Sequence, residues 1–377
     1  MPKTAGEKTW GISFFRSYPR DVRKQIQDSK LDRNNNCFLC QINKFKGFAN
    51  AKRGMDLEIT PSITTISNQQ RESVNDDFSD VKHDVEPSLD INWGINSNLT
   101  MNATLNPDFS QVESDSAQLD VNQTFALFFP ERRPFFLENS DYFNTNMRLI
   151  HTRNVADPDY GIRFVGKTDK NAYGFFYTDD TITNILIPGV FGSGLASLSQ
   201  ESENLAARYR RDFGNSSTFG AIITLRSSDD YNNTVASFDT SYRITNEDTI
   251  DFQYTSTETK NSLSIIDDFD VNENISGDAY NIGYRHSDEK WFYQVRHVDY
   301  DDDFRADLGF ISKVGYSKSI IGAERTWRNE DENKWWNRMS IYSDWDITHD
   351  QQGRLLEKEL QVNLNINAKK QSYGYLD

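Results

Sequence analysis

The sequence predicts an all-β protein, an antiparallel up-and-down β-barrel of the transmembrane, outer-membrane type. Three observations lead there. Apolar residues make up only 36% of the 377 residues, yet aromatic residues reach 13%. That mixture is too apolar-poor for a large globular core and too aromatic for disorder, and it fits strands with one greasy and one wet face. Segments of eight or nine residues alternate apolar and polar side chains with period two. The connections between them alternate short and long, as in a barrel with tight turns on one rim and loops on the other.

Residues 1–53 read as a junction. "TWGISFFRSYPRD" (Thr9–Asp21) has the pattern of one strand closed by a Pro-containing turn, and a lone strand needs a partner sheet. Residues 22–52 are polar and basic, like a linker. Within them "CFLC" places Cys37 and Cys40 at C-x-x-C spacing. Zinc needs two more ligands, haem attachment needs a following His where Gln41 stands, and a redox site needs a βαβ context. A local disulfide or plain thiols, a metal site in a fuller protein, and redox catalysis all stay open, with the disulfide as the candidate carried forward.

From residue 54 to 377 the period-two pattern is regular. "LDINWGIN" sets Leu89, Ile91, Trp93 and Ile95 against Asp90, Asn92, Gly94 and Asn96. "NLTMNATLN" sets Leu99, Met101, Ala103 and Leu105 against Thr100, Asn102, Thr104 and Asn106. "TIDFQYT" and "LQVNLNINA" continue the pattern, the latter with Leu360, Val362, Leu364 and Ile366 on the apolar side and Asn363 on the other. Strands of about nine residues cross a bilayer when tilted. Short turns fall at 96–98, 168–171, 213–216, 245–248, 287–290, 328–334 and 368–371. Long acidic connections fall near 67–86, 107–158, 180–201, 259–277 and 300–312, with shorter ones on that rim near 227–233 and 348–354. Tyr and Trp gather near strand ends, where amphipathic rings favour the headgroup zone. About fifteen strands are expected, the last a partial one at Gln371–Asp377. A closed bacterial barrel has an even number, so further strands are expected after Asp377. Residues 1–20 have no apolar signal core, which makes the chain a fragment if it is exported.

Charge and motifs exclude other classes. The formal net charge is 41 − 57 = −16 with no basic patch, so nucleic-acid binding is not expected. No run of 18 apolar residues forms a membrane helix. No P-loop, G-x-G-x-x-G, G-x-S-x-G or H-E-x-x-H is present, and no cofactor is implied. His83, His151, His286, His297 and His349 are scattered. "DYDDDFRAD" (Asp299–Asp307) offers Asp301, Asp302 and Asp303 either as calcium ligands or as solvated loop acids, without EF-hand spacing. "GVFGSGLASLS" (Gly189–Ser199) reads as a flexible loop. Any catalysis would be glycosidase-like, resting on a carboxylate pair that no spacing in the sequence identifies.

The segment "FALFFPERRPFFLENSDYF" (Phe125–Phe143) is too apolar for an exposed loop and too charged for a core. It lies in residues 107–158, far longer than an ordinary connection, and a barrel lumen would accommodate it as a plug. There Phe128, Phe129, Phe135 and Phe136 pack together and Arg132 and Arg133 meet carboxylates, with Glu131 and Glu138 beside them. The arginine cluster either pins the plug to the wall or lines a permeation path.

"NATLNPDFSQVE" (Asn102–Glu113), "LFFPERRPFFLE" (Leu127–Glu138), "HTRNVADPDYG" (His151–Gly161) and "FRADLGFI" (Phe304–Ile311) resemble one bacterial family. Its members carry a family-9-like carbohydrate-binding module followed by an outer-membrane β-barrel domain of unknown function. The resemblance spans residues 54–377, and "TWGISFFR" with "NNNCFLCQ" resembles the junction after the module, which this chain lacks. It implies the bacterial outer membrane as location and its lipid as partner. Three functions follow as expectations: a barrel that binds or passes polar solutes, saccharides among them; a cell-surface carbohydrate-active hydrolase; or a non-conducting scaffold for the module.

Overall fold

The structure is a computed structural model, and it describes every residue except 1–6, 19–23, 48, 50–55, 72, 74–76, 97, 108–123, 215, 330 and 332. The N-terminal part is more ordered than a linker. It contains β1 (Lys8–Ile12), β2 (Phe15–Tyr18), β3 (Lys24–Gln27), a single helical turn α1 (Phe38–Gln41) and β4 (Asn43–Gly47). β1 pairs with β4 and β2 with β3, both antiparallel. The single strand expected over Thr9–Asp21 is therefore two strands, and its last residues, 19–21, lie outside the described ones. The break has a local cause: the Asp28 carboxylate accepts from the Phe14 N–H at 3.0 Å, and the Asp28 N–H donates to the Phe14 carbonyl at 3.1 Å.

The main sheet holds fifteen antiparallel strands in sequence order. It starts with β5 (Leu57–Asn68), β6 (Lys82–Asn96) and β7 (Leu99–Leu105). After the helical turn α2 (Pro134–Leu137) come β8 (Pro158–Lys167) and β9 (Asn171–Asp180). A separate hairpin, β10 (Thr183–Pro188) with β11 (Ser193–Leu198), then leaves the sheet, so "GVFGSGLASLS" is the turn and second arm of a hairpin rather than a loop. The sheet resumes with β12 (Ser202–Phe213), β13 (Ser217–Ser227), β14 (Asn232–Arg243) and β15 (Asp248–Lys260). Helix α3 (Leu263–Phe269) leads on to β16 (Asn274–Ser287) and β17 (Trp291–Tyr300). β18 (Tyr316–Arg328), β19 (Trp336–Asp350), β20 (Leu355–Ala368) and the short β21 (Tyr373–Leu376) finish it. Each strand pairs with its neighbour, so the chain runs up and down, and β5 and β21 are the two edges. Among the described residues no pairing joins those edges.

β12 to β20 run 10 to 15 residues, longer than the nine that the alternation suggested. About 9–11 tilted residues cross a hydrocarbon layer, so these strands extend beyond it. The short turns lie at one rim and the long connections at the other, as the sequence pattern requires.

Burial separates the faces. On β13, Ile222, Thr224 and Arg226 are buried inward while Ile223 and Leu225 are exposed outward. On β15, Gln253, Thr255, Thr257 and Thr259 face in and Tyr254 faces out. The outer face is aromatic near the short turns, where Phe213 stacks on Tyr242 at 6.2 Å and Trp291 on Tyr293 at 5.4 Å. One consequence is measurable on β20, where Leu360 and Val362 are exposed and Asn363 is buried. Leu364 shares the outward face, and an Arg near the bilayer midplane of a barrel costs about 2–4 kcal/mol. Leu364→Arg is expected to lower the folded yield in lipid vesicles. Asn363→Arg, pointing to the lumen, should fold nearly as well as wild type; equal yields for the two would reverse the facing.

Candidate functional site

Three segments fill the inside of the sheet: residues 124–155, residues 301–315 and the β10–β11 hairpin. Packing shows why. Phe135, Phe136, Phe143 and Val155 of the first segment bury against Val165, Phe176 and Ala206 of the wall and against Leu308. Met147 and Leu149 pack with Ile222, Val235 and Ala279 of the wall and with Phe304, Ala306 and Val314. Ile185, Ile187 and Leu198 of the hairpin pack with Tyr231 and with Ile265 of α3. Val165, Phe176, Ala206, Ile222, Val235 and Ala279 interrupt an otherwise polar face where plug residues cover them.

The first two segments are zipped together. The His151 N–H donates to the Leu308 carbonyl at 2.8 Å, and the Phe310 N–H donates to the Arg148 carbonyl at 2.9 Å. The zipper requires glycine at 309, because a Cβ there would lie 2.4 Å from the Arg148 carbonyl oxygen. It also requires glycine at 277 on the wall, where a Cβ would lie 2.5 Å from the Phe304 nitrogen.

Arg133 is buried and makes a two-pronged ion pair with Glu131, Nε to Oε1 at 2.9 Å and Nη2 to Oε2 at 2.7 Å. Its Nη1 donates to the Val155 carbonyl at 2.8 Å and its Nη2 to the Thr152 carbonyl at 2.6 Å. The guanidinium also lies 4.1 Å from the centre of the Phe136 ring. Arg133 thus binds the segment to itself through a carboxylate two residues away. Burial alone works to raise the Glu131 carboxyl, but the bonds from Arg133 and Thr152 outweigh it and hold it below the ordinary carboxylate value. Arg132 is exposed, and its backbone N–H donates to Glu131 Oε1. Phe129 is half-buried.

Among the described residues, others bond plug and wall. Glu138 accepts from Asn92 at 2.7 Å and from Asn102 at 2.9 Å, on β6 and β7. Arg163 of β8 donates to Asn102 at 3.1 Å. Gln253 of β15 accepts from the Met147 N–H at 2.9 Å. Arg226 of β13 donates to the Asn154 carbonyl at 3.0 Å and to the Asn184 carbonyl at 2.6 Å.

A second buried ion pair holds residues 301–315. Arg305 meets Asp307 through Nε to Oδ1 at 2.9 Å and Nη2 to Oδ2 at 2.5 Å, and the Tyr231 hydroxyl donates to Asp307 Oδ2 at 2.5 Å. Burial, and then the Asp307 charge, pushes the Tyr231 phenol well above its usual pKa, so it remains a donor. Asn233 of β14 closes the network, accepting from the Asp307 N–H at 3.0 Å and donating to the Arg305 carbonyl at 3.0 Å. The sequence motif "FRADLGFI" holds both members of the pair, but Tyr231 and Asn233, which complete the network, lie more than seventy residues away.

Beside the plug lies a cavity of about 220 Å³ lined by Phe128, Phe136, Arg148, His151, Arg163 and Phe176, among others. The Arg148 guanidinium is 4.0 Å from the Phe128 ring centre, and the His151 ring is 4.9 Å from it. A more polar cavity of about 300 Å³, lined by Asp251, Asn281, Arg285, Gln294 and Arg296, lies nearer the short turns. Burial, and then the Arg148 charge, pushes His151 down to about 4. A histidine depressed in the folded state keeps its stabilisation above its unfolded value of about 6.5 and loses it as pH falls toward 4. Acidification from pH 7 to pH 5 is expected to loosen the plug, by an amount on the order of 2 kcal/mol. His151→Gln should remove that pH dependence from protease sensitivity; an unchanged dependence would exclude His151 as its source.

Among the described residues one group has metal-ligand spacing, Glu247, Asp248 and His286 at the short-turn rim. His286 already meets Asp248 at 2.8 Å and Asp288 at 3.1 Å through its two ring nitrogens. Asp301, Asp302 and Asp303 are not in that group: Asp301 accepts from the Asp278 N–H at 2.7 Å, and Asp302 and Asp303 are exposed. Cys37 and Cys40 are joined as a disulfide with their Cα atoms 5.3 Å apart.

Residues 54–171 match the family described as a domain of unknown function (DUF5916). The DUF5916 match takes in β5 to β8 and the plug segment with Glu131, Arg133 and Glu138, and it stops short of the Arg305–Asp307 network. Two crystal structures from Acinetobacter baumannii are among those to which the chain is similar. OccAB2 has a TM-score of 0.39 at 12% identity, covering 85% of this chain and 78% of that one. OccAB4 has a TM-score of 0.29 at 7% identity, covering 83% and 88%. No curated protein matches significantly.

Proposed function

We propose that the protein is a plugged barrel of the Gram-negative outer membrane that binds or passes polar solutes, saccharides among them. The carrying observation is the inward face, polar along β15 and neighbouring strands, which encloses a folded plug and polar cavities. A wall rich in Thr, Asn, Gln and Arg offers hydrogen bonds to hydroxylated or charged solutes, and a plug built from two zipped segments sets the width of any path. Its outward aromatic and aliphatic side chains would meet lipid. Among the described residues lining the 220 Å³ cavity the carboxylate is Glu131, which is taken up by Arg133 and Thr152 rather than offered to a glycosidic bond.

Single-channel recording in planar bilayers tests the proposal. Small, fluctuating currents that polar sugars reduce in a concentration-dependent way are the expected result. A folded barrel that stays silent, both as wild type and with the plug loosened by Arg133→Ala, would instead make the protein a non-conducting scaffold.

A further inference from the structure

The C-x-x-C motif has no part in the lumen. We propose that residues 32–41 form a disulfide-closed latch that fastens the N-terminal strands to the short-turn rim of the barrel, and that thiol–disulfide exchange at Cys37–Cys40 opens and closes it.

The latch reaches three successive short turns. The Asn36 N–H donates to the Asn246 carbonyl at 3.0 Å, and its side-chain amide donates to the Glu247 carbonyl at 3.1 Å. Asn35 Oδ1 accepts from Arg243 at 3.1 Å. Asn34 Oδ1 accepts from the Glu289 N–H at 3.0 Å, and Arg33 pairs with the Glu289 carboxylate at 3.2 Å. Cys40 Sγ lies 3.8 Å from Ser216 Oγ in the turn between β12 and β13.

The cystine holds these residues in place through Gln41. The Gln41 amide donates to the Asn35 carbonyl at 2.8 Å, and its Oε1 accepts from the Asp32 N–H at 2.6 Å. The Cys37 N–H donates to Asn35 Oδ1 at 3.0 Å. Gln41 is the last residue of α1, whose four residues have no side-chain cap. A helix that short does not persist by its own hydrogen bonds. The disulfide from its N-cap, Cys37, to Cys40 therefore keeps the adjacent Gln41 where it braces Asn35 and Asp32. Cys40 is exposed, so a thiolate can attack it.

The exchange balances with a dithiol as co-reactant. Its thiolate attacks one sulfur and forms a mixed disulfide. Its second thiol then displaces that sulfur, leaving two protein thiols and an oxidised dithiol, with two electrons and two protons transferred. Closing is the same reaction in reverse, with a disulfide donor as the oxidant.

The test is trypsin cleavage at Lys30 and Arg33 of the full chain in detergent, with and without dithiothreitol. The chain has only two cysteines, so reduction touches no other bond. Reduction is expected to speed cleavage about tenfold, the order set by releasing a small closed ring. Cys37→Ser with Cys40→Ser should be cut at the reduced rate under both conditions. Asn35→Ala with Asn36→Ala should be cut quickly even when oxidised. Heat-modifiable migration on gels checks that the barrel is folded in every sample. Equal cleavage rates for oxidised and reduced wild type, slow or fast, would overturn the latch.

Discussion

Asp307→Ala is expected to destabilise the protein by about 3–5 kcal/mol, because it leaves the Arg305 guanidinium buried without a carboxylate. The Arg305 side chain is 3% exposed, and Asn261, at 3.0 Å, would be left as a neutral acceptor that cannot replace the lost charge. The Tyr231 hydroxyl loses its acceptor in the same step, and an unmade buried hydrogen bond adds to the cost. Thermal unfolding followed by heat-modifiable gel migration would report the loss. The double variant Arg305→Ala with Asp307→Ala removes the stranded charge and is expected to be more stable than Asp307→Ala alone. A double variant that is worse by the sum of the two single losses would show that the pair contributes through packing rather than charge.

Arg133→Ala is expected to have an effect of the same order on the plug. It strands Glu131, whose side chain is 11% exposed, and it removes the donors that the Thr152 and Val155 carbonyls use. The charge alone is worth about 3–5 kcal/mol when one member of a buried pair is lost. The wall bonds of Glu138 and Arg226 do not involve Arg133, so the strands should stay folded while the segment loosens. Larger or noisier currents with an unchanged β spectrum are the expected signature. Arg133→Lys should not restore the wild-type current, since one ammonium cannot reproduce the two-pronged geometry. Arg132→Ala, at an exposed side chain, should change stability by about 0–1 kcal/mol. Full rescue by lysine would reduce the role of Arg133 to charge alone.

The strands and their faces were legible because period-two alternation records both at once. In "LQVNLNINA" Leu360 and Val362 point outward and Asn363 inward, as the alternation alone implies, and nothing distant is needed to see it. The short and long connections were legible for the same local reason. The plug was legible only as a segment that no surface loop or core would hold. The carboxylate for Arg133 was two residues away, yet Glu131 reaches it only because the chain bends there, and the sequence equally allowed wall carboxylates as partners. The zipper between residues 147–151 and 308–310 joins stretches more than a hundred residues apart, so no spacing rule finds it. The N-terminal strands were read as one because the clamp from Asp28 to Phe14 is a side-chain contact with no periodic signature. In the β10–β11 hairpin, the glycines of "GVFGSGLASLS" suggested flexibility and masked the alternation of Ile185 and Ile187 before them.

The most direct measurement is protease access to residues 125–142 in protein embedded in lipid vesicles. If the segment fills the lumen, packed through Phe135, Phe136 and Phe143 and tied by Arg133, wild type should yield no cleavage between Phe125 and Tyr142 while the exposed long connections are cut. Arg133→Ala should then become cleavable there. Ready cleavage of the intact, membrane-embedded wild type within that stretch would place the segment outside the barrel and contradict the plug.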